Sequence, residues 1–375
     1  GGVISGNLAE NIFDQQDGGG GLWSTLGGGV GGGLTMTDTQ VLNNRTSHGG
    51  GGGLAIDNDS AATLSGLTVA HNWVPNYLLG GGIFIKGNVV VDRTAIVTNT
   101  GGEGGGMAVL IGSAVTLTQV TVSGNTSRDS GGGLRVSDLA QVSVQDSQIT
   151  ANIAELHGGG INNAGTLDIQ NSTVSGNHSA DGGGVGNDGT LWLINSTLSG
   201  NFADNGGGGL SNVTSNSQAY LNNVTVVNNL ADADANGSGQ GGGLWSSVGA
   251  LFAVNTLIAQ NNSLGLNKPD CSGTINSGGY NLIQSATGCT LSGTLTGNVI
   301  GLSPKIGPLK DNGGSTWTHA LLSGSPAIDA GNPSGTFLDF CLLTDQRGVH
   351  RPIGPRCDIG AVEANRLGYL PLVVR

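Results

Sequence analysis

The sequence predicts an all-β fold: a right-handed, single-stranded parallel β-helix with three short strands per coil, about nine to ten coils, and a small disulfide-containing C-terminal cap. Three observations carry this reading. Glycine runs that end in an aliphatic residue recur along the first two thirds of the chain, asparagines recur at a nearly fixed spacing, and the stretches between them alternate apolar and polar residues. No segment shows the 3.6-residue period of an amphipathic helix.

The glycine runs are Gly18–Leu22, Gly49–Leu54, Gly80–Ile83, Gly104–Met107, Gly131–Leu134, Gly158–Ile161, Gly182–Val185, Gly206–Leu210 and Gly241–Leu244. They predict corners that need positive φ or close backbone approach. The asparagines follow a β-branched or aliphatic residue by three places, as in Val122-Ser-Gly-Asn125. They are Asn7, Asn44, Asn72, Asn99, Asn125, Asn152, Asn177, Asn201, Asn229 and Asn261, with spacings of 37, 28, 27, 26, 27, 25, 24, 28 and 32. Such a row can be read as ligands for sugar or calcium. The architectural reading is preferred, because an amide at a tight corner can bond backbone and the asparagine of the next coil.

Segments such as residues 140–147 and 166–171 have the period of two expected of strands. A coil of about 26 residues with no helix cannot bury its apolar face alone, so coils must stack. Right-handed winding follows from strand twist and from the hand of parallel crossovers. The resulting rod is on the order of 45 Å long. The two longest spacings predict loops bulging near the ends, chiefly over residues 18–33. The predicted organisation is a β-helix over 1–265, a C-terminal region over 266–365, and an apolar tail over 366–375.

Composition narrows the function classes. Among 375 residues there are 72 glycines, with only 4% aromatic and 10% charged side chains, and the formal net charge is -12. Thirteen scattered Lys and Arg give no basic stripe, which excludes nucleic acid and anionic lipid as expected partners. No apolar run reaches the ~20 residues needed to span a bilayer. The opening residues carry no charged and apolar leader, so an export signal is expected to have been removed.

Four cysteines, Cys271, Cys289, Cys341 and Cys357, lie in the last third, spaced to suit two local disulfides better than zinc. Three connectivities are open. The sequential one is preferred, and it predicts an oxidising, extracellular or cell-surface location.

The paired glycine-run and aliphatic-x-x-Asn motifs resemble the repeats of polymorphic outer-membrane-type β-helix proteins, over roughly residues 1 to 262. The segment from Asp311-Asn-Gly-Gly-Ser-Thr-Trp through Ser325-Pro-Ala-Ile-Asp-Ala-Gly331, then Asp345-Gln-Arg-Gly348, Arg351-Pro352 and Cys357-Asp-Ile-Gly-Ala-Val-Glu363, is similar to the choice-of-anchor Q domain of bacterial surface proteins. The resemblance implies a surface location and a repetitive architecture, and it brings no catalytic residues. Asp329, Asp345, Arg347, Arg351 and Asp358, in a segment otherwise poor in charge, predict a buried ion-pair cluster.

Parallel β-helices also carry polysaccharide lyases and glycoside hydrolases, whose acids must converge from neighbouring coils. Asp146 with Asp168, and Asp181 with Asp204, have suitable offsets, but no basic side chain of the repeat is expected beside them. Trp23, Trp73, Trp192, Trp245 and Trp317 predict no stacked aromatic row. The six histidines share no offset, so no catalytic residue is assigned. Calcium is the one cofactor the sequence admits: Asp232, Asp234 and Asn236 open a D-x-D-x-N-G loop, although its twelfth position is Gly243, not Glu.

The expected function is therefore that of a non-enzymatic extracellular structural protein. It would assemble head to tail with copies of itself, through Gly2, Val3 and Ile4 at one end and Tyr369, Leu370, Leu372 and Val373 at the other. The alternatives are an adhesin or glycan-binding surface protein, with surface polysaccharide as partner, and a carbohydrate-active enzyme.

Overall fold

The computed structural model describes residues 1–9, 19–25, 33–75, 77–265, 269–333 and 341–364. Every regular element among them is a strand. One central coil shows how the chain is built. After a glycine turn it forms Leu134–Val136, then Gln141–Gln145, Gln148–Thr150 and Ile153–Ala154, before the next glycine turn. Each strand pairs in parallel with its counterpart one coil on, as Val142 does with Leu167 and Ile149 with Val174.

Three faces result. The middle face is a twelve-stranded sheet running from Val3–Ser5 to Val299–Ile300, and the short face is a seven-stranded sheet from Thr100–Gly101 to Asn262–Ser263. The long face carries two strand segments per coil, of three and five residues, in one sheet. In Ile83–Asp92 the two segments merge into one continuous strand, so the expected three strands per coil are present, with one of them broken by a turn in most coils.

Alternation fills the interior. Leu134, Val136, Val142, Val144 and Ile149 point inward and are at most 3% exposed, and their equivalents form one continuous core along the rod. Such a core is narrow, so its stability depends on polar satisfaction at the corners. There the asparagines act. Asn125 donates its backbone N–H and its Nδ2 to Asn152 Oδ1, at 3.0 and 2.9 Å, and donates Nδ2 again to Ile96 O at 2.9 Å. Asn44, Asn72, Asn99, Asn152, Asn177, Asn201 and Asn229 repeat the pattern.

The glycine run has to pass beside this ladder. Gly131 has φ of 69°, a Cβ on Gly132 would lie 2.4 Å from Gly159 O, and one on Gly133 would lie 3.0 Å from the Asn152 amide. Any side chain there would force the coils apart.

The repeat runs past residue 265, where the sequence places its end. Leu282–Ile283 and Val299–Ile300 extend the middle face, and Cys271–Gly279 and Cys289–Gly293 extend the long face. The later coils are shortened, and Asp270 replaces the next asparagine, so the spacing signal is lost. The disulfides are Cys271–Cys289 and Cys341–Cys357, as preferred. The first ties two consecutive rungs of the long face. Most of the predicted loop over 18–33 lies outside the described residues.

The C-terminal region lies along the flank of the rod. The antiparallel pair Ile306–Lys310 and Thr318–Leu321 leads back from the last coil, and Thr316 Oγ1 donates to Asn171 O at 2.9 Å. The following segment seats Ala327 and Ile359 on Val227, Leu257, Ala259 and Leu282. The outward positions of the middle face explain this placement. They read Thr121 and Ser123 early in the rod, then Thr225 and Val227, then Leu257 and Ala259, so the face becomes apolar where the strap covers it.

Gln346 fastens the strap. Its Oε1 accepts from Thr197 Oγ1 at 2.7 Å, and its Nε2 donates to Thr173 Oγ1 at 3.0 Å. Behind it, Arg347 binds Asp345 at 2.6 Å and Arg351 faces Glu363 at 3.4 Å, both pairs buried. Asp358 accepts from the Asp329 N–H at 2.7 Å, and burial pushes its carboxyl up to about 6. These hydrogen bonds and apolar contacts with the rod place the described residues of the strap on the middle face and its corner.

Candidate functional site

The long face gathers aromatic, amide and carboxylate side chains into register. The middle position of each five-residue strand points outward, because its two neighbours fill the core. Leu191 and Leu193 flank Trp192, Ala219 and Leu221 flank Tyr220, and Leu251 and Ala253 flank Phe252, all of these neighbours being at most 2% exposed. Parallel pairing then aligns Thr116, Ser143, Asp168, Trp192, Tyr220, Phe252 and Asn276 in one row.

The aromatic members touch. Trp192 and Tyr220 stack with centroids 4.2 Å apart and planes 12° from parallel, while Phe252 lies 6.5 Å beyond at 45°. The three rings are half-buried. Gln218 and Asn222 flank Tyr220, while Thr190 and Ile194 flank Trp192 and Ala250 and Val254 flank Phe252; the further amides Gln141, Gln145 and Gln170 lie beside Ser143 and Asp168. Tyr220 Oη donates to Gln218 Oε1 at 2.9 Å. This corrects the expectation that no aromatic row exists. Tryptophans alone do not reveal it, because Tyr220 and Phe252 supply two of its three members.

Asp168 stands next to Trp192 in the row. Gln170 Nε2 donates to its Oδ2 at 2.8 Å, while its Oδ1 is buried without a partner. Burial raises its pKa, and the Gln170 bond opposes that shift. From Asp168 toward the N-terminal end, Ser143, Thr116, Val90 and Thr63 line a shallow depression on the same face. Asp146 does not join Asp168. It sits at a corner with φ of 50°, where Ser315 Oγ donates to its Oδ1 at 3.0 Å.

Asp181 and Asp204 lie on the short face, and each has a histidine at hand, contrary to expectation. His157 Nδ1 is 3.6 Å from Asp181 Oδ2, and His178 Nε2 is 2.9 Å from Asp204 Oδ1. Asp181 lies beyond a register shift that follows Ser179, whereas His178 pairs in register with Phe202. Burial raises the Asp181 pKa, with His157 lowering it and Asp204 adding a smaller increase. These side chains form two separate pairs on an open edge.

Asp232, Asp234 and Asn236 occupy one loop between the short face and the next glycine turn, and Asp232 is fully buried. Among the described residues, no three His, Cys, Asp or Glu side chains converge on a metal position. Val3 and Ile4 belong to the first strand of the middle face, which pairs with Gln40–Leu42, and Gly2 O accepts from the Gln40 N–H at 2.9 Å. Tyr369, Leu370, Leu372 and Val373 lie outside the described residues. Compared with known proteins, the chain matches no family model, no curated protein and no solved structure.

Proposed function

We propose that this chain is a non-enzymatic extracellular surface rod that holds a neutral polysaccharide along its long face. The observation that carries the reading is the aligned stack of Trp192, Tyr220 and Phe252, with the amides of Gln218 and Asn222 on either side of Tyr220. Aromatic rings offer apolar contact to the C–H faces of a sugar, and the amides offer both donors and acceptors to its hydroxyls. The row repeats every coil at about 4.8 Å, close to the length of a pyranose unit, so an extended chain can follow it. The binding row has a carboxylate at Asp168 and no cation, and the whole chain is acidic, which disfavours uronate or sulfated polymers. The two disulfides support an oxidising location.

The test is affinity electrophoresis of the intact chain in gels containing a neutral glucan, mannan or xylan, or a polyuronate. Retardation in a neutral polymer, lost in Tyr220→Ala and Trp192→Ala, supports the reading. Equal mobility in every gel removes it and leaves a purely structural rod. New reducing ends or unsaturated uronates after prolonged incubation would instead place the chain among carbohydrate-active enzymes.

A second reading, head-to-tail assembly, is favoured by Asn7, whose backbone N–H and Nδ2 already donate to Asn44 Oδ1 at 3.1 and 2.8 Å as in later rungs. Electron microscopy of the intact chain tests it: filaments support the reading, and isolated rods remove it.

A further inference from the structure

We propose that the loop from Asp232 to Ser238 is a calcium site, with Asp232 Oδ2 and Gly237 O as its inner ligands. The loop lies between the short face and the glycine turn and contains no residue of the aromatic row, so this inference stands apart from polysaccharide binding.

Asp232 carries the argument. It follows Leu230–Ala231 directly, its φ is 58°, and its side chain is wholly shielded from solvent. Its Oδ1 accepts the Gly237 N–H at 2.9 Å. Its Oδ2 is equally buried and accepts nothing. No described Lys, Arg or His forms an ion pair with it. A carboxylate oxygen shielded from water and left without a donor is strongly unfavourable, and a bound cation is one of the few partners that removes the penalty.

The surroundings of that oxygen suit a hard cation. A Cβ on Gly265 would lie 3.0 Å from Asp232 Oδ2 and 2.8 Å from Gly237 O. Both oxygens therefore pack close against the backbone of Gly265, a position that carries no side chain. At the rim, Asp234 Oδ1 accepts the Asn236 N–H at 3.3 Å, and Asn236 Oδ1 accepts the Ser238 N–H at 3.0 Å. These bonds hold the side-chain oxygens of Asp234 and Asn236 on the same turn as Asp232.

The ligand types select the ion. Only two carboxylates belong to the loop, so the remaining ligands are amide, carbonyl and water oxygens. Calcium accepts six to eight oxygens in flexible geometry, whereas magnesium requires a near-ideal octahedron and sheds water reluctantly. Gly243 stands where a bidentate glutamate would close a high-affinity loop. The affinity expected is that of extracellular calcium modules, with Kd on the order of 10⁻⁴ to 10⁻³ M.

The experiment is equilibrium dialysis of the intact chain against radioactive calcium, with and without equimolar magnesium, beside Asp232→Asn, Asp234→Asn and Asn236→Ala. The expected result is one ion per chain in the stated range, unaffected by magnesium. Asp232→Asn should weaken binding at least tenfold, and each rim variant several-fold. Asp234 and Asn236 are exposed, so their variants keep the test decisive if Asp232→Asn fails to fold. Absence of saturable binding up to 10 mM calcium, on the order of tenfold above the expected Kd, would overturn the proposal. So would rim variants that bind as the intact chain does, or magnesium competing as an equal.

Discussion

Asp270 stands in the place of an asparagine at the end of the ladder: Asn261 donates its backbone N–H and its Nδ2 to Asp270 Oδ1, at 3.2 and 2.9 Å. Asp270 Oδ2 accepts the Ser285 N–H at 2.7 Å. The residue thus closes the row of amides and ties it to the shortened coil that follows.

The substitution gives the rod a pH-dependent joint. Burial pushes the Asp270 carboxyl up from 3.8 to about 6, against the pull of its donors. The folded chain therefore binds the proton more tightly than the unfolded chain. Its contribution to stability is full below the unfolded value and is lost as pH rises through the folded one, by up to about 1.4 kcal/mol per pH unit within that window. Asp270→Asn keeps an oxygen beneath Asn261 and does not titrate. Urea midpoints at pH 4 and pH 7 should show the variant gaining on the parent by roughly 2 kcal/mol over the interval. A constant difference would mean that another group titrates there.

Interrupting the ladder should be far more costly than any surface change. Asn152→Ala removes the acceptor used twice by Asn125 and the donors to Asn177 Oδ1 and Val122 O, all buried. The orphaned groups predict a loss of about 3 kcal/mol or more. Gln148→Ala, a half-buried position of the adjoining strand, should cost under about 1 kcal/mol. Chemical denaturation of the two variants makes the comparison.

Much of this architecture is visible in the residues themselves. Each coil repeats an asparagine that satisfies its own corner and a glycine run that must lie against that asparagine, so Asn125 and Gly133 announce a corner without structural help. The aromatic row is harder to read. Trp192, Tyr220 and Phe252 are 28 and 32 residues apart, and only the pairing register shows that unequal loops lie between equivalent positions. His157 meets Asp181 through an irregular bridge beside a register shift, which no fixed period anticipates. The strap did leave a signal, the drift from Thr173 and Ser175 to Leu257 and Ala259 on one outward face. It is invisible until those positions are known to point outward. Asp270 hides for a related reason: it lies nine residues after Asn261 and breaks the spacing.

The charged cluster of the strap should tolerate little. Arg351 is buried, donates to Asp358 O and Gly360 O at 3.0 and 2.8 Å, and faces Glu363. Arg351→Met leaves the Glu363 carboxylate buried without its cation, which predicts about 3 to 5 kcal/mol of destabilisation. The loss should be local. Hydrogen exchange should accelerate across 341–364, while the strands from Met107 to Asn163, which the cluster does not touch, keep their protection. Uniform acceleration would show instead that strap and rod unfold as one unit.

His319 joins the strap to the rod, and its protonation should loosen that junction. It is 2% exposed, its Nδ1 lies 2.7 Å from Gly307 O, and its Nε2 lies 2.9 Å from Ser199 Oγ. In the neutral ring Nδ1–H donates to Gly307 O and Nε2 accepts from the serine. Burial lowers its pKa from 6.5, opposed by the Gly307 bond. The folded state resists the proton that the unfolded chain accepts, so this contribution is full above 6.5 and is lost as pH falls toward the depressed folded value. The sign is opposite to that of Asp270, and the two are separable by mutation. His319→Gln removes the titration and weakens the junction, so in the Asp270→Asn background it should be less stable than its parent at pH 7 by about 1 to 2 kcal/mol. At pH 5 the gap should narrow, because the parent has by then lost stability to proton uptake in its unfolded state. Urea midpoints at the two pH values measure the gap, and an equal gap at both would assign the acid sensitivity of the strap to a different group.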